Sequence, residues 1–146
     1  MLIRAYQSRD AAPLADIWLA ATLPAHPFIP AGYWYANRSR MEQEYLPQSE
    51  NLVLEDDAGR PRAFISMLGR HIAALFVHPD AQGKGYGSAL LRRAQQLHRE
   101  LTLRVYELNA DSVHFYKYHG FSITARSTFP CLPCRPKSLS RLRQRI

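Results

Sequence analysis

Three glycines at every second position, Gly83, Gly85 and Gly87, stand between two apolar runs in the segment Leu75-Phe76-Val77-His78-Pro79-Asp80-Ala81-Gln82-Gly83-Lys84-Gly85-Tyr86-Gly87-Ser88-Ala89-Leu90-Leu91. Read as a strand, a turn and the start of a helix, the segment leaves a row of backbone N–H groups with no side chain in front of them. Such groups, with a helix N-terminus behind them, form a concavity for an anion, and a phosphate or pyrophosphate is the natural guest. A plain flexible turn would use glycine in the same way. Two other phosphate loops are excluded by spacing. The P-loop needs Ser or Thr directly after its Lys, and Gly85 follows Lys84; the dinucleotide fingerprint needs G-x-G-x-x-G, and here the glycines run G-x-G-x-G.

The elements that must hold this loop follow from periodicity. Leu14, Ile17, Trp18 and Ala21 recur at helical spacing, which predicts a helix over 10–23 with Asp10 as its cap and Pro24 as its end. A Pro-bounded loop, His26-Pro27-Phe28-Ile29-Pro30, leads to a second helix over 32–46, stopped by Pro47. Three short strands, 51–55, 61–68 and 71–78, are joined by links too short for anything but antiparallel pairing. The glycine loop opens a helix that runs to about Arg99. A strand over 101–108, a short helix over 111–119 capped by Asp111 or Ser112, and a strand from Phe121 complete the pattern. Gly120 suits the position after the short helix. A strand–helix–strand crossover in the second half predicts a parallel pair. The class is α/β, mixed, with a mostly antiparallel sheet.

At this point a resemblance becomes specific. Gln82-Gly83-Lys84-Gly85-Tyr86-Gly87 resembles the Q/R-x-x-G-x-G/A motif of the GNAT (Gcn5-related) N-acetyltransferases, and Val77-His78-Pro79 resembles its usual lead-in. Asn109, Ser112, Phe115-Tyr116 and Gly120-Phe121 resemble that family's next signature, in the right order and spacing. The N-terminal half, through His26-Pro27-Phe28-Ile29 and Tyr33-Trp34, resembles the bacterial YiaC/YjaB-like branch. The resemblance covers about residues 1–128.

The resemblance implies transfer of an acetyl group from acetyl-CoA to an amine, with strands 72–78 and 101–108 splayed apart. It places the pantetheine arm on the backbone of Leu75, Phe76 and Val77, and the pyrophosphate on N–H groups from Gly83 through Lys84, Gly85, Tyr86 and Gly87 to Ser88. Gln82, Asn109 and Tyr116 complete the expected cofactor site. Tyr116 matches the family's usual general acid. The base is less constrained: Glu107 lies nearby, two residues before Asn109, with His26, His78 or a held water as alternatives. Arg104 stands where relatives often carry Glu, five residues before the Asn. The acceptor pocket is expected around His26, Phe28, Tyr33 and Trp34, with Arg104 contacting an acidic group of the acceptor. The amine must be neutral to attack. A lysine is neutral in roughly one molecule per thousand near neutrality, an α-amine in about a fifth or more. A lysine acceptor therefore needs a base or desolvation.

Composition bounds the rest. The 146 residues are 47% hydrophobic and 21% charged, in the range of one globular domain. The longest apolar run, Ile72–Val77, is far short of the roughly 20 residues of a membrane span. Neither a membrane partner nor a secretory signal is expected, and the compartment is expected to be the cytoplasm. The two cysteines, Cys131 and Cys134, form a lone C-x-x-C without further ligands for a metal, so no metal is expected. The net charge of +7 sits in the tail: residues 1–111 balance their bases against all 12 acids, and residues 112–146 carry bases alone. Two units are therefore expected, a GNAT-like domain over 1–129 and an atypical basic, Pro-containing tail over 130–146. Pro130, Pro133 and Pro136 oppose a strand there. The terminal strand is expected to be missing or replaced, with a basic helix over 137–146 as the alternative. The partners expected are acetyl-CoA and an amine acceptor, small or protein, on a monomer or homodimer, and nucleic acid is not expected. A non-catalytic CoA- or polyanion-binding module is the alternative function.

Overall fold

The computed structural model describes residues 1–129 and 137–145. Strand β1 (Leu2–Ala5) is followed by α1 (Ala11–Ala25) and α2 (Ala31–Arg40). A π-helical turn, Met41–Tyr45, extends α2 into the single turn α3 (Leu46–Gln48). Then come the meander β2 (Glu50–Glu55), β3 (Pro61–Leu68) and β4 (His71–Val77), the crossover helix α4 (Tyr86–Leu97), β5 (Glu100–Tyr106), α5 (Ala110–Tyr118), β6 (Ser122–Phe129) and β7 (Lys137–Arg145). They form one seven-stranded sheet in the order β1-β2-β3-β4-β5-β7-β6. Every neighbouring pair is antiparallel except β4 and β5. The expected mixed, mostly antiparallel α/β architecture is therefore present. No helix among the described residues is long and apolar enough to cross a membrane.

Both faces of the sheet are covered, which explains the unbroken burial of Ala63 to Met67 in β3. On one face Leu54, Ala63 and Ile65 pack with Leu90 and Leu91 of α4 and Leu101 and Leu103 of β5. On the other, Val53, Phe64 and Ala74 pack with Leu14 and Ile17 of α1. Each fully buried Leu, Ile, Val or Phe among them contributes about 1.5–3 kcal/mol.

Local chemistry shifts several boundaries. Asp10 does not cap α1 with its side chain; its carboxylate instead takes both Arg4 nitrogens at 2.8 Å and the Gln7 N–H at 2.8 Å. Pro24 lies inside α1, because near a helix end only one turn of hydrogen bonding is lost, and His26 N–H still reaches the Thr22 carbonyl at 3.1 Å. Pro47 likewise sits within α3. Asn109, rather than Asp111 or Ser112, caps α5 by accepting the Ser112 N–H at 3.3 Å. Gly120 takes a left-handed φ of 96° after the helix, as expected of that position.

The expectation of a missing or helical C-terminus is overturned over 137–145. β7 lies between β5 and β6, paired with both along its length. The three prolines all precede Lys137, so none removes a donor from the ladder. The weak alternation that argued against a strand suffices because only one large apolar residue is needed. Leu142 is fully buried against Leu103 and Ile123, while Ser140 donates to Glu107 and Gln144 donates to the His119 carbonyl at 2.8 Å. Leu142→Ala is expected to cost about 2–5 kcal/mol, a large share of the roughly 5–15 kcal/mol that holds a domain together. Urea denaturation of the two chains measures it. Cys131 and Cys134, and the connection that carries them, lie outside the described residues.

Candidate active site

β4 and β5 pair at only two positions, His71 with Thr102 and Ile72 with Leu103. Beyond that vertex β4 stays with β3 and β5 stays with β7, so the two strands part. A register shift in β3–β4 opposite Ala73, between the Ser66–Ala74 and Met67–Ile72 pairs, bends β4 at the same point. The β4 edge that faces β5 is thus left without a strand partner over Leu75–Val77.

The parting opens a cleft of about 630 Å³. Leu75, Phe76 and Val77 form one wall, and Asn109, Phe115 and Tyr116 with the start of α5 form the other. Ala21, Pro24, Ala25 and Pro27, from the end of α1 and its loop, close a third side. Gln82 and Gly87 line the end nearest α4, where Gln82 donates to the Val77 carbonyl at 3.2 Å. Gly83 and Gly85 have φ of 79° and 83°, a left-handed conformation that is strained for any other residue. Gly85 is the N-cap of α4, so the twelve-residue helix begins directly behind the turn. Lys84 is exposed on it, Tyr86 packs into the core, and Ser88 is held by His119 Nε2 at 3.1 Å.

Tyr116 is 8% exposed and burial pushes its phenol well above the ordinary tyrosine range. It therefore stays protonated at neutral pH. Among the described residues no group hydrogen-bonds its hydroxyl. Phe115 and Phe121 flank the ring at 5.1 and 5.5 Å.

The other expected residues divide. His26, Phe28, Tyr33 and Trp34 do come together, but in a cluster behind the cleft rather than on its wall. His26 and Trp34 are buried, their rings 5.0 Å apart, and Tyr106 of β5 closes the group at 5.2 Å from His26. The cleft takes its lining from the small residues and prolines of the same segment instead. Glu107 does not reach the cleft: it accepts from Arg126 Nε at 2.6 Å and from Ser140 on the β6–β7 side. Asp111 is the carboxylate that lines the cleft, at the first turn of α5. His78 holds its own 3-10 turn by accepting the Asp80 N–H. Arg104 is exposed on β5 just past the vertex. Ala21, Pro24, Ala25 and Phe115 were not foreseen as lining. Only Phe115 carried a signal, as the neighbour of Tyr116 in the second motif.

His26 ties the site together. Its Nδ1 donates to the Thr22 carbonyl at 2.8 Å, since a carbonyl can only accept. Its Nε2 is then an acceptor for Asn109 Nδ2 at 3.4 Å, and Asn109 Oδ1 caps α5. The end of α1 is so linked to the helix that bears Tyr116. Burial lowers the His26 pKa below its ordinary value. The folded chain therefore resists the proton that the unfolded chain accepts near pH 6.5. Above that pH the residue carries no penalty. As pH falls through about 6.5 stability drops, and the loss levels off below the folded-state pKa. Urea titrations across this range are expected to show a shallower acid loss in His26→Gln than in the unaltered chain.

The acetyl-CoA implied by the motifs meets a fitting set of groups. A left-handed glycine turn on a helix N-terminus suits a pyrophosphate. An unpaired strand edge suits the amides of an extended arm. A buried, protonated phenol stands at the inner wall.

Known proteins agree. A profile described as "Acetyltransferase (GNAT) domain" matches residues 47–123. The peptidyl-lysine N-acetyltransferase YiaC of Escherichia coli strain K12 is 38% identical over 123 residues, covering 84% of each chain. The peptidyl-lysine N-acetyltransferase YjaB of the same strain is 34% identical over 128 residues, covering 86% of this chain and 84% of YjaB. The solution structure of apo YjaB from Escherichia coli superposes with a TM-score of 0.85 at 32% identity, over 97% of this chain and 95% of that one. With its splayed strands, glycine turn and sequence kinship in agreement, the chain belongs to the GNAT family of acetyl-CoA-dependent N-acetyltransferases.

Proposed function

We propose that the chain acetylates lysine side chains of proteins or peptides, with Tyr116 as the general acid. The observation that carries the acid role is Tyr116 itself: buried, lining the cleft, held protonated by burial and without a hydrogen-bond partner among the described residues. The lysine acceptor is supported by two relatives that bear the name peptidyl-lysine N-acetyltransferase and align over most of the chain.

Acetyl-CoA supplies an acetyl thioester. N–H groups from Gly83 to Ser88 would hold its pyrophosphate, and the free edge of β4 over Leu75–Val77 would hold its arm. One N–H of that edge would supply the donor for the charge that grows on the thioester oxygen. The neutral amine attacks the carbonyl carbon, the carbon–sulfur bond breaks, and Tyr116 gives its hydroxyl proton to the leaving sulfur. The amine's extra proton leaves to solvent, and Tyr116 regains from solvent the proton it gave. An acceptor panel tests the reading: a lysine peptide with a blocked N-terminus, a lysine-free peptide with a free N-terminus, and a polyamine. The lysine peptide is expected to give the highest kcat/KM. Preference for either of the others would replace the acceptor class.

A further inference from the structure

Arg104 of β5 and Arg141 of β7 stand directly opposite each other in an antiparallel pair. Both are exposed, and both point to the face away from Leu103 and Leu142, which are buried under α4. Like charges directly opposite each other in a sheet are destabilising, and among the described residues no carboxylate relieves them. Glu100, the acid on the same face of β5, is taken by Arg143 and by Arg70 at 2.9 Å. Glu107 is taken by Arg126. Among the described residues neither Arg104 nor Arg141 has an ion-pair partner.

The place of the pair is specific. Leu103 is the last β5 residue paired with β4, so Arg104 is the first residue past the vertex of the splay. Tyr106, next on the same face of β5, packs into the aromatic cluster with His26 and Phe28 at 5.2 and 5.7 Å. On the other side His71 closes the vertex, bonded to Thr102 at 2.9 Å. Burial, and after it the charges of Arg104 and Arg141, lower the His71 pKa. Two planar forks on directly opposed, exposed residues suit a single carboxylate, which they can bind through several charge-assisted hydrogen bonds. A nucleic acid would need a run of free bases tracking successive phosphates, whereas the neighbours Arg143 and Arg70 both engage Glu100 and Arg126 engages Glu107.

We infer that Arg104 and Arg141 form a carboxylate clamp that selects acceptors bearing an acidic group close to the amine, foremost a peptide with Asp or Glu beside the acetylated lysine. The inference rests on the amine-acceptor reading above but is read out separately from turnover.

The experiment is calorimetric titration of the full chain, with CoA bound so that no transfer occurs. The ligands are N-blocked peptides with one lysine and either Glu or Gln a few residues from it. Free lysine against lysine amide forms a second pair. The Glu peptide is expected to bind about tenfold or more tighter than its Gln twin. The ratio is expected to fall to near one in Arg104→Gln/Arg141→Gln and to invert in Arg104→Glu, which creates a cross-strand ion pair and repels the acid. Thermal melting checks the fold of each variant, and no loss is expected because a repulsion is removed. A preference confined to free lysine keeps the clamp and assigns the carboxylate to a small acceptor. Equal affinities in the unaltered chain, or a preference that survives the double variant, overturn the inference. So does a single-stranded oligonucleotide that binds through the two arginines while peptides show no preference. Absent turnover with the Glu preference intact would remove the acceptor reading alone; turnover with equal affinities would remove the clamp alone.

Discussion

Tyr116→Phe is expected to lower kcat by about 100-fold or more while the affinity for acetyl-CoA stays within about twofold. A positioned general acid contributes roughly 10²–10⁴ to a rate, and the ring that Phe115 and Phe121 pack against is unchanged by loss of the hydroxyl. Because no group among the described residues bonds that hydroxyl, its removal leaves no orphaned partner, and stability is expected to hold or rise slightly. Stopped-flow or discontinuous thiol release, with calorimetry on the same sample, separates the two effects. Equal losses in rate and in cofactor affinity would make Tyr116 a packing residue.

The second large effect is expected at Gly85. A Cβ there meets nothing within 4 Å, so crowding is not the issue. The backbone is: φ is 83°, and any L-residue with a side chain is strained by roughly 1–2 kcal/mol in that region. Gly85→Ala isolates this strain and is expected to weaken acetyl-CoA binding by about tenfold. Gly85→Glu adds a negative charge at a site built for one and is expected to weaken it by about 100-fold or more. Calorimetric titration at low and moderate salt measures both. A Glu variant that binds like the Ala variant would show that the turn holds no anion.

Much of this site was legible because it is made of backbone. Gly83 and Gly85 report a left-handed turn ahead of a helix directly, and the Tyr116 and Gly120 spacing reports a short helix ended by glycine, although its cap is Asn109 rather than Asp111 or Ser112. Side-chain roles read less well where position depends on sheet register. Glu107 lies two residues before Asn109, but it falls in the turn after β5 and finds Arg126, a residue of a distant strand. His26 and Trp34 looked like acceptor contacts by their aromatic weight. That same weight draws them inward, since large apolar rings gain most from burial, and the cleft is lined by the small residues left behind. β7 was hidden for a related reason. Its inward face is Ser140, Leu142 and the half-buried Gln144, two of them polar and donating to Glu107 and to the His119 carbonyl, which no local alternation can announce.

The most direct test of the account is mass spectrometry of an N-blocked lysine peptide incubated with acetyl-CoA and the full chain, beside the Tyr116→Phe chain at equal concentration. The account predicts one added acetyl group, localised by fragmentation to the lysine ε-amine, formed catalytically by the unaltered chain and about 100-fold more slowly by the variant. Acetyl-CoA bound by the chain but no acetyl on any amine, or equal rates from both chains, would contradict it.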